Sequence, residues 1–517
     1  MADTAAPVAT PAQASPVQAS PIVITMVVML GTFMTILDST IANVALPHMQ
    51  PSLGAASDTI AWVLTSYILA TAVATPLTGW LADRLGKRQL FLYSVTAFTI
   101  ASMACGLAQS LEQMVFFRVL QGAAGAFLAP LGQSYILDVW PREKQGQAMA
   151  WWGVGVMVGP ILGPFVGGWL TENFDWRWVF LINLPFGILT LFLAAALLPK
   201  AEPRIRRFDM LGFGLLAVGF AALQLCLDRG QQLDWFESWE VRVEAGVAVA
   251  SLWAFGVHIF TGTNTLLDKR LLKNSNIMTG FLFITLVGLL LVGTTAILPT
   301  MLQTLFGYSV IQSGLVQMPR GIGMMISMMA AGRLVSRTDP RAIIGTGMAI
   351  SAISLWMMSG FSPEMDSQPL VISGFVQGLG LGLVFVPLNT IAFSTLPADL
   401  RTDASSFFML LRNLGSSFGI SLSVGILARQ AQVSHADIGA SLTPFALPWA
   451  DGGIAGAMGG AGDAVMAMLD GAVNRQAAMI AYIDVFRMLF WVTISMIPLL
   501  LLLRRPKTPP AVVHLAD

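Results

Sequence analysis

VLQGAAGAFLAPL (Val119–Leu131) and FVQGLGLGLVFVPL (Phe375–Leu388) are two renderings of one stretch: Gln121-Gly122 in the first is matched by Gln377-Gly378 in the second, 256 residues on. A second pair stands at nearly the same distance. GWLADRLGKR (Gly79–Arg88) returns as GRLVSRTDPR (Gly332–Arg341), 253 residues on. Near-equal offsets at two separate places mean a duplicated unit. Each pair is eight apolar runs apart, so a six-span unit is used twice with two further helices between the copies.

The runs themselves fix the solvent. Of 517 residues, 55% are hydrophobic and 11% charged, with a mean hydropathy of +0.72, more apolar than a water-soluble chain of this size. A hydrocarbon core about 30 Å thick takes about 20 apolar residues per helix and tolerates no unpaired backbone. Fourteen runs meet that requirement, from 22–46 to 481–503, with the tenth at 313–334 and the thirteenth at 404–428. The fold class is therefore all-α integral membrane.

Basic residues set the orientation, because short cytoplasmic loops hold the Lys and Arg. Arg84, Lys87, Arg88, Arg142, Lys144, Lys269, Arg270, Lys273, Arg333, Arg337, Arg341 and Arg401 all fall on one side of the span map. That side is cytoplasmic, and both termini lie on it. The expected organisation is a disordered cytoplasmic tail at 1–21, which carries no Lys or Arg and so lacks the basic start of a signal peptide. It is followed by an N-terminal six-helix bundle at 22–200, two extra helices with their loops at 201–275, a C-terminal six-helix bundle at 276–505, and a cytoplasmic tail at 506–517. Residues 429–480, rich in Gly, Ala and Met, read either as a mobile outer loop or as an amphipathic helix lying on the membrane or a partner.

The composition also excludes. With 28 basic and 28 acidic residues the formal charge is zero, which argues against a nucleic-acid partner. Four scattered histidines give no metal-ligand spacing. No G-x-x-x-x-G-K-[ST] stretch is present, so no nucleotide cofactor is expected and an ion gradient is the energy source. No nucleophile, base and orienter recur at catalytic spacing, so an enzyme is not expected. Cys105 and Cys226 fall in separate spans, which speaks against a disulfide.

Against this apolar background, two charges stand out. Asp38 lies mid-span, where a charge costs at least about 2.5 kcal/mol unless it faces a polar cavity or takes up a proton. Proton coupling fits this, and so does a structural pairing or a helix-breaking cap. Arg118, in the fourth span, cannot shed its proton and needs a carboxylate, carbonyl or anion. Asp38 is the expected partner, with a purely structural clamp as the alternative. Its repeat counterpart is Gly374, which confines this machinery to the N-terminal half. In the fifth span Gly155, Gly159, Gly163 and Gly167 recur every four residues with Pro160 and Pro164 beside them, a face for close helix packing. Gly79, Asp83, Arg84, Gly86 and Arg88 suit a salt-bridged latch on the cytoplasmic side. Asp484 and Arg487 are spaced to pair.

Taken in order, these stretches resemble the major facilitator superfamily, in particular the fourteen-span drug:proton antiporters of the EmrB/QacA type. LDSTIANVALP (Leu37–Pro47) resembles that group's first-span signature, GWLADRLGKR the loop motif between spans two and three, and FFRVLQGAAGA (Phe116–Ala126) the fourth-span Arg motif. GVMVGPILGPFVGG (Gly155–Gly168) is similar to the antiporter motif, WRWVFLINLPFG (Trp176–Gly187) to the start of span six, and LDRGQQLDWF (Leu227–Phe236) to the EmrB branch. The resemblance covers residues 25 to about 505.

It implies the major facilitator fold, two pseudo-symmetric six-helix bundles with two extra transmembrane helices, in a bacterial inner membrane. It further implies proton-coupled multidrug efflux, and with it antibiotic resistance, by alternating access. Asp38 and Arg118 would couple protons, and Asn43, Gln121, Asn389 and Arg412 are candidates for the substrate cavity, although Arg320 and Arg412 equally suit snorkelling to an interface. Its implied partners are hydrophobic small molecules, protons, the lipid bilayer, and a periplasmic adaptor with an outer-membrane channel. Two other readings stay open at this point: an exporter of one endogenous compound (a lipid, siderophore or aromatic acid), and a transport-dead membrane sensor or scaffold.

Overall fold

A computed structural model describes residues 20–56, 59–199, 207–262, 265–441 and 462–503. The expected tails, but for Ser20 and Pro21, lie outside the described residues. Among the described residues there is helix and no strand.

Six long helices precede the inserted pair: α1 (Pro21–Ser52), α2 (Trp62–Leu85), α3 (Lys87–Gly106), α4 (Leu111–Val139), α5 (Gln145–Asn173) and α6 (Trp178–Leu197). The pair is α7 (Met210–Arg229) and α8 (Trp239–Thr261). Six more follow: α9 (Ser275–Thr304), α10 (Val310–Leu334), α11 (Pro340–Met358), α12 (Ser367–Phe393), α13 (Arg401–Ser441) and α14 (Gly462–Met496). Thirteen of these are long and apolar enough to cross a membrane. The other is α10, which has the length but carries Gln312, Gln317 and Arg320 in its first half.

Packing reproduces the duplication. Within the first bundle α1 touches α4, α5 and α6, α2 packs on α4, and α3 on α4 and α6; in the second, α9 touches α12, α13 and α14, α10 packs on α12, and α11 on α12 and α14. Close backbone approach is the means, since lipid gives helices no hydrophobic reason to associate. A Cβ on Gly122 would stand 2.4 Å from the Tyr67 carbonyl oxygen of α2, and one on Gly378, its repeat mate, 1.9 Å from the Arg320 carbonyl oxygen of α10. The bundles meet through α5 with α10 and α2 with α13.

Residues 429–441 and 462–480 correct the loop reading, because they continue α13 and α14 as helix. At 1.5 Å per residue the 41 residues of α13 span about 60 Å, twice the hydrocarbon thickness. The polar residues Arg429, His435 and Asp437 end the hydropathy signal while the helix runs on into water. Asp484 and Arg487 approach to 3.5 Å as spaced, and Gln430 also donates to Asp484. Cys105 and Cys226 are free and buried.

The inserted helices sit against the α2–α13 seam: α7 packs on both, with Ser417 of α13 donating to Gln224 of α7 at 2.9 Å. Their cytoplasmic end is tied by Asp209, the N-cap of α7, which accepts from the Gly212 and Leu266 amides and from His258. Burial pushes the Asp209 carboxyl up, but these donors outweigh it and hold it below its ordinary value. A depressed carboxyl contributes stability above its unfolded-state pKa, and that contribution disappears as pH falls through the folded one. Asp209→Asn is therefore expected to melt below wild type at neutral pH. The gap should close as pH is lowered past about 4, which thermal unfolding of the solubilised protein across pH would check.

Candidate functional site

Asp38 is carried at mid-length on α1, whose neighbouring hydroxyls satisfy themselves on the helix's own carbonyls: Ser39 donates to Ile36, and Thr40 to Ile36 and Leu37. The glycine stripe of α5 grips this stretch. Cβ atoms added to Gly155, Gly159, Gly163 and Gly167 would meet Met29 at 1.9 Å, Ile36 at 2.9 Å, Thr40 at 2.2 Å and Ile41 at 3.0 Å. Only glycine lets α5 lie this close, so the stripe sets where Asp38 stands. Pro160 and Pro164 lie inside the continuous helix.

Arg118 of α4 meets Asp38 at 2.7 Å, and both side chains are 0% exposed. Hydrogen bonds from α2, α4 and α6 hold the pair, while Arg118 Nη2 is buried with no hydrogen-bond partner. Arg118 Nε donates to the Val63 carbonyl of α2 at 3.0 Å, and Nη1 also reaches Gln121 Oε1 at 2.8 Å. Gln121 Nε2 and Asn183 Nδ2 both donate to Asp38 Oδ1, at 2.8 and 2.7 Å. Asn183, from α6, donates also to Ser102 of α3 at 3.0 Å. The guanidinium lies 4.1 Å from the Tyr67 ring centroid and 5.6 Å from that of Phe180. Buried charges persist only when paired and hydrogen-bonded in this way.

A cavity of about 120 Å3 lies between the bundles, lined by Thr32, Ser39, Tyr67, Thr71, Arg412 and Asn413 among others. Tyr67 belongs to both features: it lines the cavity and covers Arg118. Of the four cavity candidates, Arg412 is in the lining and three are elsewhere. Gln121 is drawn into the ion pair, because its amide matches a guanidinium on one side and a carboxylate on the other. Asn389 is buried against Gln133, with 2.7 Å between them. Asn43 is exposed on α1 beyond Asp38 and does not line the cavity. Arg320 is buried and donates to Thr294 at 2.8 Å, so it does not snorkel.

At the Lys- and Arg-rich end the bundles are sealed by polar groups. Gln133 accepts from Ser405 at 2.6 Å, Ser134 and Thr402 share a hydrogen bond of 2.8 Å, and Arg401 meets Asp138 at 3.0 Å. Lys87 also binds Asp138, and Ser134 at 2.8 Å, so cations from both bundles share one carboxylate. Gly79 admits Asp403 of α13: an added Cβ would stand 1.5 Å from the Asp403 Oδ1. Gly86, at φ +84°, caps one helix and begins the next, a backbone conformation that glycine adopts freely. Arg88 reaches the Ala195 carbonyl. Exposed Arg84 lies 5.3 Å from the Trp80 ring, and Asp83 is half-buried. The latch thus runs through Lys87, Asp138 and Arg401, which sequence reasoning did not single out.

Comparison with known proteins follows the same lines. The Major Facilitator Superfamily profile matches residues 28–420. Multidrug export protein EmrB of Escherichia coli (strain K12) is 38% identical over 424 residues, covering 81% of this chain and 83% of that protein. Fatty acid resistance protein FarB of Neisseria gonorrhoeae is 36% identical over 423 residues with the same coverage. Among solved structures, the human organic anion transporter MFSD10 (TETRAN) aligns with a TM-score of 0.61 at 15% identity, covering 92% of this chain and 100% of that one. The proton:xylose symporter XylE aligns at 0.57 and 14%, covering 92% and 96%. These two likenesses speak for the fold.

Proposed function

The chain belongs to the major facilitator superfamily, and from that membership we propose that it is a proton-driven exporter of hydrophobic, drug-like compounds in the bacterial inner membrane. One observation carries the reading. A fully buried Asp38–Arg118 pair adjoins the cavity between the bundles through Tyr67, which lines the one and covers the other. A carboxyl held by an arginine is a group that a proton can release, and loss of its charge frees a guanidinium next to the space where a compound sits. Similarity to named multidrug export proteins supports the choice of cargo.

In this reading the seal around Asp138 keeps the cytoplasmic end closed while Asp38 takes up its proton from the outer side. A volume of about 120 Å3 is below the roughly 300–1,000 Å3 of a drug-sized site, so loading requires the bundles to part at the cytoplasmic end as they rock. The proton gradient supplies the energy, with no nucleotide. A periplasmic adaptor and outer-membrane channel are the partners this reading implies, and the helical residues 429–441 and 462–480 would offer the adaptor a surface beyond the apolar spans.

The test is drug-driven proton release from proteoliposomes, with lipophilic cations, weak acids and neutral compounds compared. Wild type is expected to release protons with at least one class and Asp38→Asn with none. Release that persists in Asp38→Asn removes the carboxyl from the mechanism, and no release by folded wild type with any compound removes antiport.

A further inference from the structure

Two amides hold the carboxylate of Asp38, and they differ in one respect. Gln121 is fixed at both ends: its Nε2 donates to Asp38 while its Oε1 accepts from Arg118 and from the Cys105 thiol, at 2.8 and 3.6 Å. Turning that amide over would set its N–H groups against a guanidinium that has only N–H groups to offer. Asn183 is fixed at one end. Its Nδ2 donates to Asp38 and Ser102, while its Oδ1, fully buried, has no hydrogen-bond partner.

An unpartnered acceptor beside a group that gains and loses a proton has a chemical use. Ionised Asp38 accepts only, so the NH2 end of Asn183 must face it. Once a hydronium from the outer water has placed its proton on Oδ1, leaving water behind, the neutral carboxyl has an O–H that needs an acceptor. Half a turn of the Asn183 amide supplies one and leaves the NH2 end where the Oδ1 now lies, so one end is unpaired in either orientation. That penalty is common to both, and the protonation state of Asp38 decides between them.

We propose that Asn183 is a positioning residue that turns over when Asp38 is protonated, and that it carries this change from α1 to the α3–α6 contact. In the turned orientation Oδ1 faces Ser102, whose hydroxyl now donates to the Phe180 carbonyl at 2.9 Å. Ser102 then swings to Asn183 and lets that carbonyl go. Phe180 is the residue over whose ring the Arg118 guanidinium lies at 5.6 Å, so the release reaches the guanidinium.

The proposal rests on Asp38 as the proton carrier, and the two are tested apart: loss of release in Asp38→Asn tests the carrier, while Asn183 variants are compared with wild type alone. Asn183→Leu can neither donate nor accept. Donation to an ionised oxygen is the stronger bond, so its loss disfavours the ionised form and should move the pH midpoint of drug-driven proton release upward by about half a unit or more. Asn183→Ser, which can do both, should restore it. Isotope-edited infrared difference spectra between high and low pH, with asparagine carbonyls labelled, should contain an amide band that Asn183→Ser removes. An unmoved midpoint in folded, drug-binding Asn183→Leu overturns the role. A moved midpoint without the amide band makes Asn183 a fixed donor and overturns the turning.

Discussion

Asp38→Ala is expected to abolish export and to cost about 3–5 kcal/mol of stability, and Asp38→Ala with Arg118→Leu is expected to regain part of that stability and none of the export. The asymmetry comes from what each deletion leaves behind. Without Asp38, a guanidinium that cannot deprotonate is left 0% exposed, retaining the Val63 carbonyl, Gln121 and the Tyr67 face but no opposite charge. Without Arg118, a carboxyl remains that two amides still hold and that can neutralise itself by taking a proton. Arg118→Leu alone should therefore cost less than Asp38→Ala alone. In the double variant a leucine faces Tyr67 and Phe180 and no unpaired charge is left, although the buried amides of Gln121 and Asn183 lose their charged partners. Thermal or denaturant unfolding of the solubilised proteins gives the stabilities, and proteoliposomes give the transport. A double variant as weak as Asp38→Ala would show that the loss does not come from the unpaired charge.

The pairing itself was readable from two charges in apolar spans, because lipid makes an isolated charge so costly that two of them imply each other. The duplication was readable because Gly122 and Gly378 face the same problem in each bundle, a helix backbone crossing at contact distance. A third sign of it went unread: Gly415 and Gly419 stand 256 residues after Gly159 and Gly163 and pack against the Thr285 and Leu289 carbonyls of α9 as the earlier pair packs against α1. What stayed hidden depends on contacts between distant parts of the chain. Asn183 lay inside a quoted motif, yet nothing in WRWVFLINLPFG shows that its amide reaches an aspartate 145 residues away. Asp138 carries no mark in the sequence, and only the convergence of Lys87 and Arg401 on it gives it a place in the seal. The long ends of α13 and α14 stayed open between loop and helix for another reason: hydropathy marks where lipid stops, and a helix does not have to stop there.

Gly79→Leu should break the cytoplasmic seal. A Cβ at this position would stand 1.5 Å from Asp403 Oδ1, 2.7 Å from its Cγ and 3.2 Å from its Cα. The first two contacts involve a side chain that can turn aside. The third involves backbone on the other bundle, and a longer side chain can be relieved there only by moving α13 away from α2. Overpacking of this kind costs about 1–3 kcal/mol, and the closed arrangement alone bears it, so the balance between closed and open cytoplasmic ends should move by about 5- to 150-fold. Ala404→Cys, at a site 0% exposed beside Asp403, reports the opening in a background without Cys105 and Cys226, through its rate of labelling by a thiol reagent from the cytoplasmic side. Gly168→Leu is the control, since a Cβ there meets nothing within 4 Å. Faster labelling in Gly79→Leu, with export reduced and Gly168→Leu like wild type, would mean that the bundles close on the absence of one side chain. If labelling and export are unchanged, the glycine is not what admits α13, and the polar contacts around Asp138, Ser134 and Gln133 hold the seal without it.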